Sequence, residues 1–188
     1  MTAGRSNASP REPLLVSERL FYRRLTHEDL PWLIELRTAD AVKRYLGGDA
    51  MQNPEALEAR LNHYIDCHDK FGFGCCAMGL RATGELIGTG GLQPLEDTGE
   101  IEIGYNMAER YWDQGYGTEC CMAWLRYGFH RSGLERIVAI AHPDNVGSWR
   151  IMEKCGMHFE KSSHHYGIEC VYYAIEKAEF ERLDLDQN

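Results

Sequence analysis

Hydrophobic and polar residues follow two kinds of pattern along this chain, one typical of strands and one typical of helices. Alternating or short continuous apolar stretches predict strands at residues 14–25, 73–81, 85–92, 99–107, 136–142, 157–166 and 170–175. An interruption near Ser17 and Glu18 is the alternative for the first of these strands. Apolar positions three and four residues apart predict helices that begin near residues 26, 53, 115 and 145. This order, β-α-α-β-β-β-α-β-α-β-β, predicts a mixed α/β domain of the α+β class, with one sheet of about seven strands and about four flanking helices.

Some helix ends carry recognisable local signals. Asn53 followed by Pro54 is a typical helix start, because asparagine caps the first turn and proline fits the first helical position. We expect that helix to end near Gly72. Gly156 is typical of the residue that ends a helix, and it follows the last predicted one.

The length of 188 residues is typical of a single domain. We predict that this domain spans residues 14–178, with a flexible tail at 1–13 and a C-terminal tail at 179–188. The formal net charge of −9 argues against a nucleic-acid partner, because nucleic-acid-binding domains usually present a basic face. No apolar run approaches about 18 residues, so no membrane span is expected. The polar first residues do not resemble a signal peptide, and we expect a cytoplasmic protein.

Seven cysteines are present, an odd number, and they form no Cys-x-x-Cys motif. The adjacent pairs at 75–76 and 120–121 cannot each supply two independent chelating arms. We therefore interpret the cysteines as reduced thiols that pack like small apolar residues, and we expect no metal. The alternative is a zinc site shared with some of the eight histidines.

The stretch from Tyr105 to Glu119 carries the clearest sign of chemistry. A predicted strand ends there, a short loop follows, and Gly115 and Gly117 lead into a helix. Free backbone N–H groups at a helix N-terminus favour a phosphate or pyrophosphate, and glycines let the anion approach closely. A plain loop is the alternative for this segment alone. A nucleotide-binding protein is disfavoured, because the chain has neither a P-loop motif nor a GxGxxG motif in a βαβ unit.

A second block runs from Asn145 to Met157, and the two blocks together resemble the GNAT superfamily of acyl-CoA-dependent N-acyltransferases. The similarity is greatest to its Rim-type branch, which contains the ribosomal-protein N-terminal acetyltransferases. That branch is marked by Tyr-Trp-x-x-Gly-Tyr-Gly/Ala-Thr-Glu, then by Asn-x-x-Ser and Glu-Lys-x-Gly. All of these positions are present here: Tyr111, Trp112, Gly115, Tyr116, Gly117, Thr118, Glu119, Asn145, Ser148, Glu153, Lys154 and Gly156. The resemblance extends from about Leu15 to Glu176.

The resemblance implies a curved sheet that splays between its fourth and fifth strands, 99–107 and 136–142, with coenzyme A in the opening. Backbone amides from Asp113 to Thr118 would hold the pyrophosphate, and the Met107 amide would polarise the thioester carbonyl. Asn145 would bond the pantetheine arm or the edge of the fifth strand. The residues expected to bind acetyl-CoA are Met107, Trp112, Gln114, Gly115, Tyr116, Gly117, Thr118, Asn145 and Ser148.

Amide formation requires a neutral amine, so a base must remove a proton from an amine that is largely charged near pH 7. Glu102 is the first candidate base, and Glu100, two residues earlier on the same strand face, is the second. In the alternative interpretation both belong to a solvated strand face. His142 is a third candidate, against a plain strand-end histidine. Many relatives carry a tyrosine that protonates the departing thiolate, but Met152 occupies that position here. Ser148, one turn earlier, is our candidate substitute, and a simple helix cap is its alternative role.

Charged residues near the motif give two further hypotheses. Seven acids between residues 96 and 119 would concentrate a cationic amine if they surround the site, whereas a solvated loop is their alternative interpretation. These acids are Glu96, Asp97, Glu100, Glu102, Glu109, Asp113 and Glu119. Arg150 and Lys154, one turn apart, are candidates for contact with a cofactor phosphate.

The sequence thus predicts an acetyl-CoA-dependent N-acetyltransferase that acts without a metal. It would transfer an acyl group to a primary amine of a small molecule or of a protein N-terminus, by direct attack in a ternary complex. The alternative is a catalytically silent acyl-CoA-binding protein on the same fold, a hypothesis suggested by Met152. The acceptor, the acyl length and the oligomeric state stay open, and a homodimer is the common form of homo-oligomer.

Overall fold

The computed structural model describes residues 12–47, 52–96 and 98–186. Eight strands of these residues form one sheet: β1 (Pro13–Val16), β2 (Leu20–Arg24), β3 (Cys75–Leu80), β4 (Leu86–Pro94), β5 (Ile101–Met107), β6 (Arg136–Ala141), β7 (His158–His165) and β8 (Ile168–Glu176). The helices are α1 (Leu30–Thr38), α2 (Asp40–Lys43), α3 (Pro54–Phe71), α4 (Tyr116–Arg126), α5 (Val146–Lys154) and α6 (Lys177–Asp186). Short 3-10 turns at His27–Asp29 and Glu109–Tyr111 and a π-helical turn at Tyr127–Arg131 complete the described elements.

The sheet has one weak junction between neighbouring strands. The strands lie in the order β1-β2-β3-β4-β5-β6-β8-β7, and neighbours are antiparallel except β5 and β6. Those two are parallel and pair at a single position, Glu102 with Val138. In contrast, β4 and β5 stay paired as far as Gly88 with Met107. Beyond Glu102, β5 and β6 therefore separate, which confirms the predicted split between 99–107 and 136–142.

Local signals set both ends of the long helix α3. The Asn53 side chain accepts a hydrogen bond from Ala56 N at 2.9 Å, and Pro54 occupies the first helical position. The helix ends at Gly72, whose φ of 78° lies in the left-handed region that glycine adopts without strain. Both ends agree with the sequence prediction.

Helices cover both faces of the sheet. Alternate residues of a strand point to opposite faces, and on β3 the buried Met78 and Ala77 accordingly belong to different core clusters. The larger cluster contains Trp124 of α4, which packs edge-on against Tyr22 of β2 with ring centres 5.5 Å apart. It also contains Met152 of α5, whereas the smaller cluster joins α1 and α3 to the sheet. Helices α4 and α5 thus lie on one face of the sheet, and α1 and α3 lie on the other.

The cysteines take part in this packing. All seven are free and buried. Burial raises the pKa of Cys75 to about 11, so this residue is a neutral thiol near pH 7. Among the residues that the structure describes, no cluster of histidine, cysteine and acidic side chains is suited to hold a metal ion.

The two ends of the domain add detail to the sequence prediction. The stretch 14–25 is interrupted near Ser17 and Glu18, the alternative considered for it, because the chain turns back at Ser17, whose N donates to Leu20 O at 2.9 Å. The sheet therefore has eight strands among the described residues instead of about seven. The segment 179–188, predicted as a tail, is helical as far as residue 186, and Phe180 is fully buried with its ring 5.1 Å from that of Phe129. Of the N-terminal tail predicted for 1–13, residues 1–11 lie outside the described residues, and Pro13 already belongs to β1.

Replacing Phe180 by alanine tests whether α6 is an integral part of the domain. Loss of a fully buried phenylalanine ring leaves a cavity and costs about 3–5 kcal/mol of unfolding free energy. We expect urea denaturation of F180A to show a loss of this size. Leu185 on the same helix is 79% exposed, so L185A is the matched control, with an expected change within about 0.5 kcal/mol. Equal effects of the two substitutions would contradict the packing of α6.

Candidate active site

The opening between β5 and β6 leads into two cavities that meet inside the protein. The outer cleft, of about 520 Å³, lies between the loop before α4 and the first turn of α5. The inner pocket, of about 140 Å³, extends toward α1, α3 and the turn between β7 and β8. The residues that line both cavities, and so define their junction, are Tyr45, Leu46, Tyr105, Asn106, Asn145 and Ser148.

The N-terminus of α4 forms part of the wall of the outer cleft. Gly115 caps this helix with a φ of 81°. The first helical hydrogen bond there runs from Glu119 N to Gly115 O at 3.1 Å, so the preceding N–H groups have no acceptor within the helix. The predicted residues Gly115, Tyr116, Gly117 and Thr118 all line the cleft. Their amides and the helix dipole together favour an anion at this point.

Gly117 also lets α4 and α5 approach each other closely. A Cβ atom at this position would lie 2.5 Å from Cδ1 of Ile151 on α5. The absence of a side chain therefore brings the basic residues of α5 to the same cleft as the α4 amides. Arg150 and Lys154 both line the outer cleft, as the sequence hypothesis of a phosphate contact requires.

The Met107 backbone lies at the edge of β5 that β6 leaves free. Ala108 N donates to Ile87 O of β4 at 2.9 Å. Successive residues of an antiparallel strand direct their N–H and C=O groups to opposite sides, so those of Met107 point away from β4 and into the opening. Trp112 Nε1 donates to the Met107 carbonyl oxygen at 2.9 Å. This bond fixes the end of the strand while the Met107 N–H is directed at the outer cleft.

Asn145 and Ser148 connect the start of α5 to the junction. Asn145 Oδ1 accepts a hydrogen bond from Ser148 N at 3.3 Å and caps the helix. The Tyr105 hydroxyl donates to the Ser148 carbonyl oxygen at 3.0 Å, which ties β5 to α5 across the opening. Met152, one turn after Ser148, is buried against the inner pocket. Ser148 itself is half-buried where the two cavities meet.

The side chain of Gln114, a residue expected to bind acetyl-CoA, points away from the outer cleft. Its Nε2 donates to Arg110 O at 2.7 Å, its backbone carbonyl oxygen accepts from Arg19 Nη1 at 3.0 Å, and the residue lines neither cavity. These contacts leave its backbone N–H as the group available to a cofactor, and this role stays a prediction. Sequence reasoning missed Arg19, which also pairs with Glu119 at 2.7 Å and lies over the Tyr116 ring. These contacts hold the loop before α4 against the turn between β1 and β2.

Glu102 is buried in the inner pocket, at the one position where β5 pairs with β6. Gln93 Nε2 and the Tyr166 hydroxyl both donate to Glu102 Oε1, each at 2.5 Å. Burial raises the pKa of the Glu102 carboxyl above its ordinary value, although the two hydrogen bonds and the nearby Arg60 guanidinium act in the opposite direction. The side chain is 3% exposed, so the interpretation of a solvated strand face is wrong for Glu102.

Glu100, the second candidate base, lies outside both cavities. Its carboxylate accepts a hydrogen bond from the Tyr172 hydroxyl and pairs with Arg136 at 3.3 Å. Spacing of two residues predicts that Glu100 and Glu102 share one strand face. Strand β5 begins only at Ile101, however, and the two acids have different surroundings.

His142, the third candidate base, lines the inner pocket, and its Nδ1 accepts a hydrogen bond from Asp144 N at 3.2 Å.

A tight turn between β7 and β8 presents Tyr166 to Glu102. Tyr166 and Gly167 have φ values of 50° and 77°, as a two-residue type I′ hairpin turn requires. Glu96 holds this turn, because its Oε1 accepts from Tyr166 N at 3.0 Å and its Oε2 contacts His165 Nδ1 at 2.7 Å. The bond from Tyr166 to Glu102 therefore depends on the folded hairpin.

The acids between residues 96 and 119 do not form a shared negative surface around the inner pocket. Asp97 lies outside the described residues, and of the other six only Glu102 lines this pocket. Glu96, Glu100 and Glu119 have the partners described above, and Asp113 is exposed at the outer cleft with a φ of 57°. The hypothesis of an acidic surround that concentrates an amine is therefore corrected.

Two arginines that sequence reasoning did not select line the inner pocket instead. They are Arg37 from α1 and Arg60 from α3. Their spacing carries a signal in retrospect, because Arg37 follows Leu33 by one helical turn and Arg60 precedes Tyr64 by one. Each arginine thus lies on the apolar face of its helix, where a charged residue needs a specific reason.

Comparison with known proteins identifies the family. A family model described as the acetyltransferase (GNAT) domain matches residues 19–158, well over half of the chain. The chain belongs to the GNAT acetyltransferase family. This assignment confirms the family, though not the branch, that the two sequence blocks resemble.

Individual relatives agree with the family model. The uncharacterized N-acetyltransferase YoaA of Bacillus subtilis (strain 168) is 30% identical over 149 residues, which cover 79% of this chain and 84% of YoaA. The solved acetyltransferase from Agrobacterium tumefaciens str. C58 has a TM-score of 0.77 and 26% identity, over 92% of this chain and 99% of that one. RimL, a ribosomal alpha-N-protein acetyltransferase solved in complex with coenzyme A, shares the fold with a TM-score of 0.71 and 19% identity, over 88% of this chain and 98% of RimL.

The predicted enzyme class and co-substrate are therefore confirmed. This GNAT protein is an acyltransferase, and its co-substrate is acetyl-CoA. None of the helices in the described part of the chain has the length and apolar character needed to cross a bilayer.

The contact between Tyr166 and Glu102 predicts a measurable pKa change. A hydrogen bond to an ionised carboxylate lowers its pKa, so Tyr166→Phe removes a stabilising donor and raises the pKa of Glu102 further. Titration of carbon-13-labelled glutamate side chains by NMR measures this shift. Tyr172→Phe is the matched control, because Tyr172 contacts Glu100 instead. A Glu102 pKa that is unchanged or lower in Y166F contradicts the assigned contact.

Proposed function

We propose that this acyltransferase transfers an acetyl group from acetyl-CoA to a primary amine of a small molecule or peptide N-terminus, by direct attack in a ternary complex. The observation that carries the proposal is the position of Glu102. This buried carboxylate lies in the inner pocket, and the Met107 N–H is directed at the outer cleft that meets it. Donor and acceptor then occupy separate cavities that join at Tyr105 and Ser148.

The outer cleft fits acetyl-CoA in size and charge. Its volume of about 520 Å³ lies within the range of roughly 300–1,000 Å³ that is typical of small-molecule sites. The amides at the start of α4 suit the pyrophosphate, and Arg150 and Lys154 add positive charge. Two acids, Asp113 and Asp144, also line the cleft, so the backbone amides carry much of the recognition of the anion.

Glu102 acts as the general base toward the amine. A carboxylate whose pKa is raised toward the working pH accepts a proton more readily than an ordinary one. Among the described residues, both hydrogen-bond donors reach Oε1. Glu102 Oε2 is therefore the oxygen assigned to take the proton, directly or through a water molecule.

Three further residues act on the donor side. Acetyl-CoA supplies the acyl group as a thioester. The Met107 N–H donates a hydrogen bond to the carbonyl oxygen, where negative charge develops as the amine attacks. Trp112 is a positioning residue, because it acts on that oxygen through the Met107 backbone. The Ser148 hydroxyl protonates the departing thiolate, a role that the thioether of Met152 cannot take.

The position of Ser148 favours this enzyme over the catalytically silent alternative. Ser148 offers a hydroxyl at the junction of the two cavities, one turn from Met152. The silent alternative was suggested by Met152, which cannot donate a proton, and Ser148 supplies a donor close to that position. Membership of the Rim-type branch, a cytoplasmic location and a homodimer stay predictions. The fold shared with RimL supports the first of them.

Glu102→Gln removes the base and preserves the shape of the side chain. We expect E102Q to lower turnover at pH 7 by about 10²-fold or more, the usual contribution of a general base. In the unmodified enzyme kcat/KM falls as the pH drops through the raised pKa of Glu102, because the protonated carboxyl cannot act as a base, and E102Q loses this acidic limb. The assay measures free thiol release from acetyl-CoA with a panel of amines.

Glu100→Gln is the matched control for this experiment, because Glu100 lines neither cavity. We expect E100Q to keep the acidic limb. Loss of the limb in E100Q and its retention in E102Q would contradict the assignment of the base. Acetyl-CoA binding without turnover on any amine would favour the silent alternative.

Lys154→Gln tests the charge contacts of the outer cleft. One partly exposed ion pair contributes up to about 1 kcal/mol, so we expect calorimetry at low salt to show coenzyme A binding about fivefold more weakly in K154Q. Salt screens such pairs, and the difference shrinks at high ionic strength. Lys70→Gln on α3, which lines neither cavity, is the control. Equal affinity of K154Q and the unmodified protein at low salt would remove Lys154 from the site.

A further inference from the structure

We propose that the acceptor is a small primary amine that also carries a carboxylate, and that Arg60 binds this carboxylate in the inner pocket. The inference rests on the proposed function and deepens it by naming the class of acceptor.

The charges on the wall of the inner pocket do not suit a simple cation. Among the residues that the structure describes, the wall carries two guanidinium groups, Arg37 and Arg60, and one carboxylate, Glu102. These two positive charges and one negative charge leave one positive charge uncompensated within the described wall when His142 is neutral. The other ionisable groups of the wall are the phenols of Tyr45, Tyr64, Tyr105 and Tyr166 and the thiols of Cys75 and Cys170.

Arg60 is the group whose surroundings are incomplete. Its Nε is buried, and no described residue offers this atom a hydrogen-bond partner. The Tyr64 phenol contacts the Arg60 guanidinium and Glu102 lies near it. Within the described ranges, however, neither Arg60 nor Arg37 forms an ion pair with a carboxylate. Buried donors are normally satisfied, and the planar guanidinium fork binds a carboxylate through two parallel N–H groups. A ligand carboxylate supplies both the missing acceptor and the missing negative charge.

Arg37 adds to the same positive region and is held in place. It is 4% exposed, and its Nε donates to Gln52 Oε1 at 2.9 Å. Gln52 Nε2 in turn donates to Leu46 O at 2.7 Å, and Leu46 lies at the junction of the two cavities. Arg37 therefore acts as a fixed neighbour of the carboxylate site, whereas Arg60 is its direct ligand.

The position of Arg60 relative to the base suits an amino acid. The Tyr166 hydroxyl donates to Glu102 at 2.5 Å, and the Arg60 guanidinium carbon lies 5.6 Å from the centre of the Tyr166 ring. The base and the guanidinium thus both neighbour Tyr166, one at its hydroxyl and the other over its ring. In an α- or β-amino acid the amine and carboxylate are separated by only one or two carbon atoms, so Glu102 and Arg60 can receive the two groups together.

The size of the pocket agrees with this class of molecule. The inner pocket offers about 140 Å³, the space that roughly five water molecules fill in the liquid at about 30 Å³ each. A space of this size suits a molecule with few non-hydrogen atoms, such as a small free amino acid. A peptide N-terminus has an amide where the carboxylate would lie and leaves Arg60 without its counter-ion.

The test compares acceptors that differ only in the carboxylate. Each L-amino acid is assayed with acetyl-CoA beside its amide and its decarboxylated amine, with thiol release as the signal. For the acid that reacts fastest, we expect kcat/KM to exceed that of its amide by about 10²-fold, because loss of the carboxylate leaves a buried guanidinium unpaired. Arg60→Gln should abolish this preference, because it removes the group that binds the carboxylate and so lowers kcat/KM for the acid by about 10²-fold more than for the amide. Arg182→Gln, on the exposed face of α6, is the control that keeps the preference.

Coenzyme A affinity, measured by calorimetry, shows whether R60Q is folded, and Arg60→Lys is used if it is not. Acetylation of amides or plain amines as fast as of the acids overturns the inference and leaves the proposed function intact. If no amine is acetylated, the proposed function fails, and calorimetry of N-acetyl amino acids and their amides with coenzyme A-loaded protein decides the inference by itself. A tenfold preference for the acids that R60Q removes supports it, and equal or absent binding of acids and amides overturns it.

Discussion

The pairing of β5 and β6 at one position only is the constraint on which the site depends. Backbone N–H and C=O groups inside a protein need hydrogen-bond partners. Where two strands separate in the middle of a sheet, groups outside the sheet must therefore supply these partners. Trp112 takes up the Met107 carbonyl, and the Tyr105 hydroxyl reaches across to the Ser148 carbonyl on α5. Two side chains of the first sequence block and the Ser148 backbone of the second thus stabilise the opening that both blocks also line. The Met107 N–H is the group that this arrangement reserves for a ligand.

The same opening determines the electrostatic environment of Glu102, the proposed base. Glu102 occupies the single pairing position, where the sheet still excludes water, and its burial raises the pKa. Gln93 and Tyr166 stabilise the ionised carboxylate at the same time. Tyr166 reaches Glu102 only because Glu96 anchors the hairpin turn that carries it. The behaviour of the proposed base therefore depends on two segments that are distant in sequence, residues 93–102 and the hairpin turn at Tyr166. A positioning role for Glu96 follows from its contacts.

Interactions between residues close in sequence made much of the fold and part of the site predictable. Asn53 and Gly72 specify the ends of α3 by capping and by a left-handed φ, and such effects act within a few residues. Phe180 gives no such signal, since its burial depends on Phe129 in another element. Residue spacing likewise could not decide between Glu100 and Glu102 as the base. The deciding contact is the ion pair of Glu100 with Arg136 on the neighbouring strand β6. Arg60 was overlooked for a similar reason, since only the assembled pocket shows that it has no carboxylate partner among the described residues.

The central claim is that donor and acceptor meet where the outer cleft joins the inner pocket. A crystal structure of the protein with coenzyme A and an N-acetylated acceptor tests it most directly. We predict that the sulfur lies beside Ser148, that the acyl oxygen accepts a hydrogen bond from the Met107 N–H, and that the acceptor nitrogen faces Glu102. A sulfur atom remote from the junction, or an acceptor nitrogen that faces Glu100, would contradict the account.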